Sequence, residues 1–216
     1  VSLKRMKKYI RLDKKYISCS SNISCTKLAR YLHDNKQPGF EFLYGIPGTI
    51  AGAVSMNAGA FEREIMPYVH SLDLLDENGT IYTLKNNEIS YSYRTSNINE
   101  KSIIISVNLL KQKTNFDMNL LNLLNQKRKI SQPINQLSCG CIFKNPSGDY
   151  AARLIDSAQL KGSRAGGIYI SHKHSNYFIN DGSGTYTDFL VLLRRVKEVI
   201  TCKFSVKLDE EVILLK

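Results

Sequence analysis

The stretch "GIPGTIAGAVSMNAGA", residues 45–60, holds four glycines and four alanines between an aromatic segment and a charged one. Glycine at this density is tolerated where the backbone itself must lie close to another group. "PGTIAGAV" is typical of a loop that enters a short helix, with the amide N–H groups after Thr49 directed outward, and such a helix end attracts anions. Tight packing of a helix on a sheet, without any ligand, explains the same spacing. The residues alone leave both interpretations open.

Length and composition indicate a folded protein with two domains. The chain has 216 residues, of which 43% are hydrophobic and 23% are charged, as in ordinary globular proteins. The longest apolar candidate for a membrane span, "FLVLLRRVKEVI", is interrupted by Arg194 and Arg195, so we expect no membrane association. The formal charge of +11 suits an anionic partner. Lysine is spread along the chain without a basic face interleaved with aromatic residues, which argues against a nucleic-acid partner.

The five cysteines indicate free thiols. They are odd in number, and neither C-x5-C nor C-x-C has the spacing of a zinc site, so we expect no bound metal. Free thiols are typical of a reducing compartment, which predicts a cytoplasmic protein. The cysteines are Cys19, Cys25, Cys139, Cys141 and Cys202.

Periodicity predicts α+β organisation with a domain boundary after Lys113. Residues 9–18 predict a hairpin, Ser24 is a helix N-cap, and "DENGT" predicts a second hairpin turn. In the second half we expect a strand over residues 141–143, helices over 149–158 and 187–202, strands near 168–171 and 176–180, and a last strand "EVILL". "FDMNLLNLLNQKRKI", which follows Lys113, has helical spacing.

Five motifs in order resemble one known family. They are "GFEFLYGIPGTIAGAVSMNAGAFEREI", "YSYRTS", "QPINQLSCGCIFKNPSGDYAARLIDSAQLKG", "SHKHSNYFIN" and "LDEEVILL", and they cover nearly all of the chain. Their order and approximate spacing resemble those of UDP-N-acetylenolpyruvoylglucosamine reductases, the MurB family. That resemblance implies that residues 1–113 form part of a PCMH-type FAD-binding domain. It also implies that residues 114–216 form a smaller α+β substrate-binding domain, whose C-terminal strand returns to the active site.

The resemblance implies a flavoenzyme of cell-wall synthesis. The family uses NADPH and FAD to reduce UDP-N-acetylglucosamine enolpyruvate to UDP-N-acetylmuramate, a peptidoglycan precursor. The glycine stretch would then lie against FAD, because main chain without side chains can approach a large planar ligand. The residues implied at the cofactor are Gly45, Gly48, Thr49, Gly52, Ala53 and Asn57.

Three residues take catalytic roles by the same resemblance. Arg94 in "SYRTS" would hold the substrate carboxylate, because a planar guanidinium can make two parallel hydrogen bonds to it. Glu211 in "LDEEV" would polarise the developing enol. Cys141 in "SCGCIFKNP" stands where the family usually has serine, and would protonate the α-carbon, since a thiol is a stronger acid than a hydroxyl. A nearby cation, which we expect to be Arg94, would lower the thiol pKa.

The remaining site residues would contact the sugar nucleotide. The resemblance implies Tyr93 in the substrate pocket, Lys144 and Asn145 near phosphates or sugar, and His174 and Asn176 near uridine. Arg153 and Lys161 are further candidates for contacts with the diphosphate.

Family members also carry a glycine- and serine-rich loop in an N-terminal lobe, which has no counterpart in this sequence. The chain therefore resembles a reductase without that lobe, which another polypeptide or a longer chain would supply. Two alternatives stay open. One is a non-catalytic remnant that binds UDP-sugars but holds FAD poorly, and the other is a basic module that binds nucleic acid.

Overall fold

The computed structural model describes residues 2–215 and divides into two compact units, Val1–Gln126 and Lys127–Lys216. We call them unit 1 and unit 2. The strands described in unit 1 are β1 (Ile10–Leu12), β2 (Tyr16–Ser20), β3 (Gly59–Ala60), β4 (Arg63–Glu64), β5 (Val69–Leu75), β6 (Ile81–Lys85), β7 (Tyr91–Ser92), β8 (Thr95–Ser96) and β9 (Ile103–Leu110). Its helices are α1 (Cys25–Asp34) and α2 (Ile50–Ser55), with 3-10 turns at Glu41–Leu43, Met66–Tyr68 and Asn86–Glu88.

Unit 1 is built on a five-stranded antiparallel sheet in the order β1-β2-β9-β5-β6. Both predicted hairpins are confirmed. In the second, Gly79 has a φ of +83°, and the Asp76 carboxylate accepts the amide hydrogens of Asn78 and Thr80 at 2.9 and 2.8 Å. The left-handed backbone at Gly79 is the conformation that an Asn-Gly turn supplies without steric cost. The remaining strands form the small hairpins β3–β4 and β7–β8.

Helix α1 closes one part of this core, and its predicted N-cap is confirmed. The Ser24 hydroxyl accepts a hydrogen bond from the Lys27 amide at 3.2 Å. The buried side of the helix carries Leu28, Ala29 and Leu32, which recur at helical spacing and pack in the unit 1 core. The strand-to-helix connection of residues 21–24 is thereby held at a defined position beside α2.

Unit 2 packs two helices with a three-stranded antiparallel sheet. Its described elements are α4 (Ala151–Ser157), β10 (Arg164–Ala165), β11 (Ile168–Ile170), β12 (Phe178–Asn180) and α5 (Tyr186–Phe204), with strand order β10-β11-β12. A capping box starts α5: the Thr185 hydroxyl accepts from the Asp188 amide at 3.1 Å, and the Asp188 carboxylate accepts from the Thr185 amide at 2.9 Å. Both predicted helices of this half are present.

Helix α3 (Leu120–Ser131) contains the division between the units. The predicted boundary after Lys113 lies before this helix, whereas the structural division falls between Gln126 and Lys127. The longest helix, α5, has 19 residues and carries Arg194, Arg195 and Lys197. Within residues 2–215 no helix is long and apolar enough to cross a membrane.

The prediction of two strands in unit 2 is wrong. Residues 141–143 form only single bridges, Cys141 with Tyr177 and Phe143 with Glu210, and residues 211–215 form no strand. Each segment exchanges one or two backbone hydrogen bonds with its neighbour, which is too few for a ladder. The C-terminal segment nevertheless runs beside residue 142, because the Glu211 amide donates to the Ile142 carbonyl at 2.8 Å.

The fold protects two of the five thiols. Burial raises the pKa of Cys19 to about 12 and that of Cys25 to about 11, while Cys202 is exposed. Because only the thiolate reacts with iodoacetamide, we expect Cys19 and Cys25 in the native chain to be alkylated about a hundredfold more slowly than Cys202 at pH 8. Peptide-resolved mass spectrometry measures the three rates. Equal rates in native and urea-unfolded protein would contradict the burial.

Candidate active site

The glycine stretch presents bare backbone to open space. A Cβ added at Gly48 would meet no atom within 4 Å, and one added at Gly52 would meet only the Thr49 hydroxyl at 3.9 Å. Both residues and Thr49 are exposed. Within the described residues, packing therefore does not require glycine at position 48 or at position 52. Gly48 also has a φ of +101°, in the region that favours glycine.

The expectation that the first amide N–H groups of α2 face outward is wrong. The Ile50 amide donates to the Ile23 carbonyl at 2.8 Å, the Ala51 amide donates to the Ser21 carbonyl at 3.0 Å, and the Gly52 amide donates to the Thr49 hydroxyl at 3.4 Å. These are the first three amides of the helix, so its end is already satisfied by the protein. The sequence pattern showed a helix start but not the neighbouring segment that occupies it. The segment offers exposed backbone at Gly48 and Gly52 and not an anion hole.

A cavity of about 470 Å³ lies beside this surface within unit 1. It is lined by the residues Ser2, Leu3, Lys4, Lys8, Ser21, Asn22, Thr49 and Ala51. Ser21 is fully buried, and its hydroxyl has no hydrogen-bond partner within the described chain. The Asn22 amide donates to the carbonyls of Leu3 and Met6, while its oxygen has no partner within residues 2–215. Buried polar atoms of this kind are normally paired, so these two oxygens mark an unusual polar spot at the wall of the cavity.

Sequence reasoning missed Ser21 and Asn22. Their signal was the polar run "SSN", residues 20–22, placed between the end of β2 and the N-cap of α1. A strand-to-helix connection is a common place for ligand contacts. The resemblance drew attention to the glycine stretch, and this neighbouring segment was not considered.

The other predicted cofactor residues are placed differently from Gly48, Thr49 and Gly52. Ala53 is buried in the unit 1 core. Gly45 has a φ of +83°, and its amide donates to the Thr26 hydroxyl at 3.2 Å. Gly59, which ends the glycine stretch and is not one of the six predicted cofactor residues, is required by the β3–β4 hairpin, because an added Cβ would overlap the Arg63 carbonyl oxygen.

Asn57 is completely buried and connects the glycine stretch with the Arg94 hairpin. Its amide nitrogen donates to the Glu64 carboxylate at 2.8 Å and to the Ser92 carbonyl at 2.9 Å, while its oxygen accepts from the Met66 amide at 3.2 Å. All polar positions of the side-chain amide except one lone pair are thus used. An asparagine here fastens three backbone segments of unit 1 together.

Arg94 lies on the two-residue connection between β7 and β8. Its guanidinium donates to the Gly59 carbonyl at 2.9 Å and the Asn57 carbonyl at 3.4 Å, and lies 3.7 Å from the Glu64 carboxylate. The φ of Arg94 is +56°, a left-handed conformation that costs a non-glycine residue about 1 kcal/mol. The contacts of the guanidinium compensate for that cost. The structure therefore brings Arg94 together with Asn57, and adds Glu64, a partner that sequence reasoning missed.

Tyr93, the other residue of this connection, supports the guanidinium from one face. The central carbon of Arg94 lies 4.8 Å from the Tyr93 ring centroid, within the range of cation–π attraction. Tyr93 is 41% exposed. Its ring thus restrains the arginine while remaining accessible to solvent.

Unit 2 gathers three ionisable side chains around Cys141. The antiparallel bridge sets Cys141 opposite Tyr177, and burial together with the charge of an ionised Cys141 raises the pKa of the Tyr177 phenol. The charge of Arg128 acts on both Cys141 and Tyr177, and the charge of Glu211 acts on Tyr177. The predicted pair Cys141 and Glu211 therefore belongs to one cluster. Within unit 2, the cation beside the Cys141 thiol is Arg128. Arg94, the cation that we expected there, belongs to unit 1.

Arg128 is the principal residue that sequence reasoning missed. It stands in the last turn of α3 and is 92% buried, with an Nη1 hydrogen bond to the Gln132 side chain at 3.3 Å. Burial lowers the pKa of Arg128, and the neighbouring Tyr177 and Cys141 act in the opposite direction. An arginine stays charged in either case. In the sequence it looked like one of several basic residues that end a helix, and only the fold distinguishes it.

The predicted substrate residues divide into two groups. The Asn176 amide is buried and pairs with the backbone of Phe143, donating to its carbonyl at 2.8 Å and accepting from its amide at 3.0 Å. Asn145 accepts the first amide of α4 from Ala151 at 3.1 Å. Both asparagines are thus explained by local structure. Lys144 and His174 are half-buried.

His174 is a neutral hydrogen-bonding group at neutral pH. Burial lowers its pKa, and the charge of Lys161 lowers it further. Its Nδ1 accepts the Asn176 amide hydrogen at 3.3 Å, which leaves Nε2 as the donor. Lys161 itself pairs with Asp156 at 2.8 Å, and Arg153 pairs with Asp149, whose pKa falls to about 2 because of that contact.

The two glycines at 52 and 59 give a matched test of this description. We expect Gly59→Ala to lower the free energy of unfolding by about 1–3 kcal/mol, because its Cβ would overlap backbone. Gly52→Ala should leave stability unchanged or raise it by up to about 1 kcal/mol, because a helix favours alanine and space is open. Urea denaturation followed by circular dichroism measures both. A loss in Gly52→Ala equal to that in Gly59→Ala would contradict the open surface.

Comparisons with known proteins agree with this two-part organisation. A family model described as "FAD binding domain" matches residues 1–85, and one described as "UDP-N-acetylenolpyruvoylglucosamine reductase, C-terminal domain" matches residues 132–215. These matches fall on the parts that carry the glycine stretch and the Cys141 cluster, respectively.

Curated relatives with the name UDP-N-acetylenolpyruvoylglucosamine reductase align with most of the chain. The protein from Fusobacterium nucleatum is 34% identical over 216 residues, which is all of this chain and 77% of the relative. That from Caldanaerobacter subterraneus is 39% identical over 91% of this chain and 66% of its own length, and that from Streptococcus pyogenes is 40% identical over 88% and 64%. The chain thus spans 64–77% of the length of these three relatives.

A solved structure shares the fold. The crystal structure of UDP-N-acetylenolpyruvylglucosamine reductase (MurB) from Thermus caldophilus matches with a TM-score of 0.76 and 32% identity, over 87% of this chain and 68% of that one. This likeness agrees with the expected α+β class and with the PCMH-type FAD-binding part. The alignment over the full chain, the two family models and the shared fold together show that this chain belongs to the UDP-N-acetylenolpyruvoylglucosamine reductase (MurB) family of FAD-dependent oxidoreductases.

Proposed function

We propose that this chain takes part in the NADPH-dependent reduction of UDP-N-acetylglucosamine enolpyruvate to UDP-N-acetylmuramate, a cytoplasmic step towards peptidoglycan. The observation that carries the proposal is the cluster of Arg128, Cys141 and Glu211 in the unit that matches the reductase C-terminal domain. The cluster combines a group that can give up a proton with a fixed positive charge and a carboxylate. Reduction of an enolpyruvyl ether needs such an acid, because a proton must be added at the α-carbon.

Unit 1 fits the flavin that this reaction requires. The exposed backbone at Gly48 and Gly52 would accept the flat face of a ligand, and the buried oxygens of Ser21 and Asn22 would find polar partners on it. We propose Gly45, Gly48, Thr49, Gly52, Ala53 and Asn57, together with Ser21 and Asn22, as the residues that hold or shape this site. When bound, FAD would supply the hydride chemistry at the β-carbon of the substrate, with NADPH as the proposed source of electrons.

Arg94 is proposed to bind the substrate carboxylate. Its bonds to the carbonyls of Asn57 and Gly59 order the guanidinium before any substrate arrives, which lowers the entropy lost on binding. The 3.7 Å contact with Glu64 is longer than the hydrogen bonds to these two carbonyls, and is the one for which a substrate carboxylate would compete. A carboxylate held there would carry part of the negative charge that develops during reduction.

Cys141 is proposed to protonate the α-carbon. Its S–H bond breaks as the new C–H bond forms, and the electron pair remains on sulfur as a thiolate. The buried charge of Arg128 stabilises that thiolate, because the Coulomb energy between close charges is larger inside a protein than in water. Glu211, whose charge acts on Tyr177 in the same cluster, is proposed to polarise the enol.

The sugar nucleotide is proposed to contact Tyr93, Lys144, Asn145, His174 and Asn176. Lys144 and His174 are half-buried, and His174 keeps Nε2 as a donor while its Nδ1 accepts the Asn176 backbone amide hydrogen. The lysine can pair with a phosphate, and the neutral imidazole can donate from Nε2 to a carbonyl or hydroxyl. Asn145 and Asn176 would act mainly by shaping the pocket.

The role of Cys141 is tested by separating the two half-reactions. With excess FAD, we expect Cys141→Ala to leave flavin reduction by NADPH unchanged and to slow flavin reoxidation by the enolpyruvyl substrate about a hundredfold or more, because the acid is lost. Cys139→Ala is the matched control, since this exposed thiol lies two residues away and has no assigned role. Stopped-flow flavin absorbance follows both steps. An equal loss in both half-reactions would contradict the proton-donor role.

The role of Arg94 is tested by changing its geometry but not its charge. We expect Arg94→Lys to weaken the substrate half-reaction about 10- to 100-fold, because an ammonium cannot replace two charge-assisted hydrogen bonds. Arg164→Lys is the control, since Arg164 is exposed, is paired with Asp181 and has no assigned role. Single-turnover kinetics over a range of substrate concentrations separate binding from chemistry. Unchanged kinetics in Arg94→Lys would remove this residue from the mechanism.

A further inference from the structure

The C-terminal segment that carries Glu211 is attached to the rest of unit 2 by few backbone contacts. The Glu211 amide donates to the Ile142 carbonyl at 2.8 Å, which sets Glu211 beside the residue that follows Cys141. One residue earlier, Glu210 forms a single bridge with Phe143. The segment belongs to no strand, so a sheet ladder does not hold it. Backbone fixed by so few bonds opens easily unless side chains add to them.

The Glu210 side chain supplies such an additional contact. Its carboxylate lies 2.7 Å from the Lys197 ammonium on helix α5, with 29% of the glutamate and 38% of the lysine side-chain surface exposed. On the helix, Lys197 stands between Val196 and Ile200, which are buried in the unit 2 core. The ion pair therefore ties the C-terminal segment to a helix whose own position is fixed by packing.

The two glutamates of this segment face different neighbours. Adjacent side chains of an extended segment point to opposite sides, and the bridge with Phe143 shows that the chain is extended at Glu210. Because Glu210 is directed at Lys197, this alternation turns Glu211 away from the ion pair. The effect of the Glu211 charge on Tyr177 agrees with that direction. The pairing of Glu210 thus favours the rotation of the segment that presents Glu211 to the Cys141 cluster.

We propose that Glu210 and Lys197 are positioning residues for Glu211, because their ion pair fixes the C-terminal segment beside Ile142. The inference rests on the proposed function for its catalytic meaning, whereas the effect of the ion pair on the segment does not. Both side chains are partly shielded from water, so their attraction is screened less than that of a fully exposed pair. Neither residue is assigned a contact with the substrate.

The direct test measures how readily the segment opens, and it needs neither cofactor nor substrate. Amide hydrogen exchange of the full chain is followed residue by residue by NMR. We expect Glu210→Gln and Lys197→Gln each to speed exchange at the Glu211 amide about threefold to fivefold, as the loss of a partly exposed ion pair allows. The Leu154 amide, which donates to the Tyr150 carbonyl in α4, is the internal reference and should not change.

Reversal of the two charges distinguishes the ion pair from packing. The double variant Lys197→Glu with Glu210→Lys keeps opposite charges at the two positions, so slow exchange at the Glu211 amide should return. Glu198→Gln is the matched control, because Glu198 is exposed on the same helix and has no assigned role. Unchanged exchange at Glu211 in both single variants would overturn the proposal, and so would exchange that stays fast in the reversed pair.

Flavin kinetics then separate this inference from the proposed function. In the FAD-supplemented chain, Glu210→Gln should lower the rate of reoxidation at saturating substrate about threefold and leave the half-saturating substrate concentration unchanged, because Glu211 is proposed to act on the enol and not in binding. The reversed pair should recover that rate. Absence of substrate-dependent reoxidation in the unmodified chain would overturn the proposed function and the catalytic part of this inference, while the exchange rates still decide the role of the ion pair. Faster exchange at Glu211 with an unchanged rate of reoxidation would overturn the catalytic part alone.

Discussion

The pairing of the buried Asn176 amide with the backbone of Phe143 is the contact on which the candidate site of unit 2 depends. Residues 141–143 form no strand, so a sheet ladder does not fix their position. The side chain of Asn176 replaces the missing ladder bonds by satisfying both polar groups of Phe143. That contact sets Cys141 against Tyr177. Unit 1 uses the same device, because buried Asn57 fastens the Arg94 hairpin to the end of the glycine stretch.

These asparagines explain why two candidate catalytic residues can lie on short, irregular segments. A buried amide that lost its partners would cost about 1–3 kcal/mol, so each such contact specifies one arrangement of the backbone around it. Short segments also leave carbonyl groups available to a side chain, as the Arg94 guanidinium shows with Asn57, which lies outside the strands, and with Gly59 in the two-residue strand β3. The candidate site is thus built where regular structure ends, and buried polar side chains make it rigid.

Local signals in the sequence predicted the regular parts of the fold well. The hairpins at Asp13–Lys14 and Asn78–Gly79, the Ser24 cap and the helices of unit 2 depend on contacts between residues close in sequence. The C-terminal strand and the outward amides of α2 were wrong because both depend on distant neighbours. The Ile50 and Ala51 amides are occupied by carbonyls of residues 23 and 21, and no pattern within "PGTIAGAV" contains that information. The same limit hid Arg128 among the basic residues of a helix end and Ser21 in a short polar run.

The burial of Arg128 is itself an argument for an anionic group in the cluster. A guanidinium that is 92% removed from water has lost much of its hydration, which is costly unless negative charge or strong acceptors lie near it. Gln132 supplies one neutral acceptor at 3.3 Å. Cys141 and Tyr177 are the ionisable groups whose negative forms stabilise the charge, and Tyr177 resists ionisation because it is buried beside Cys141 and Glu211. The thiol is therefore the member of the cluster in which a transient negative charge would be best stabilised, as an acid that gives up a proton and later regains it requires.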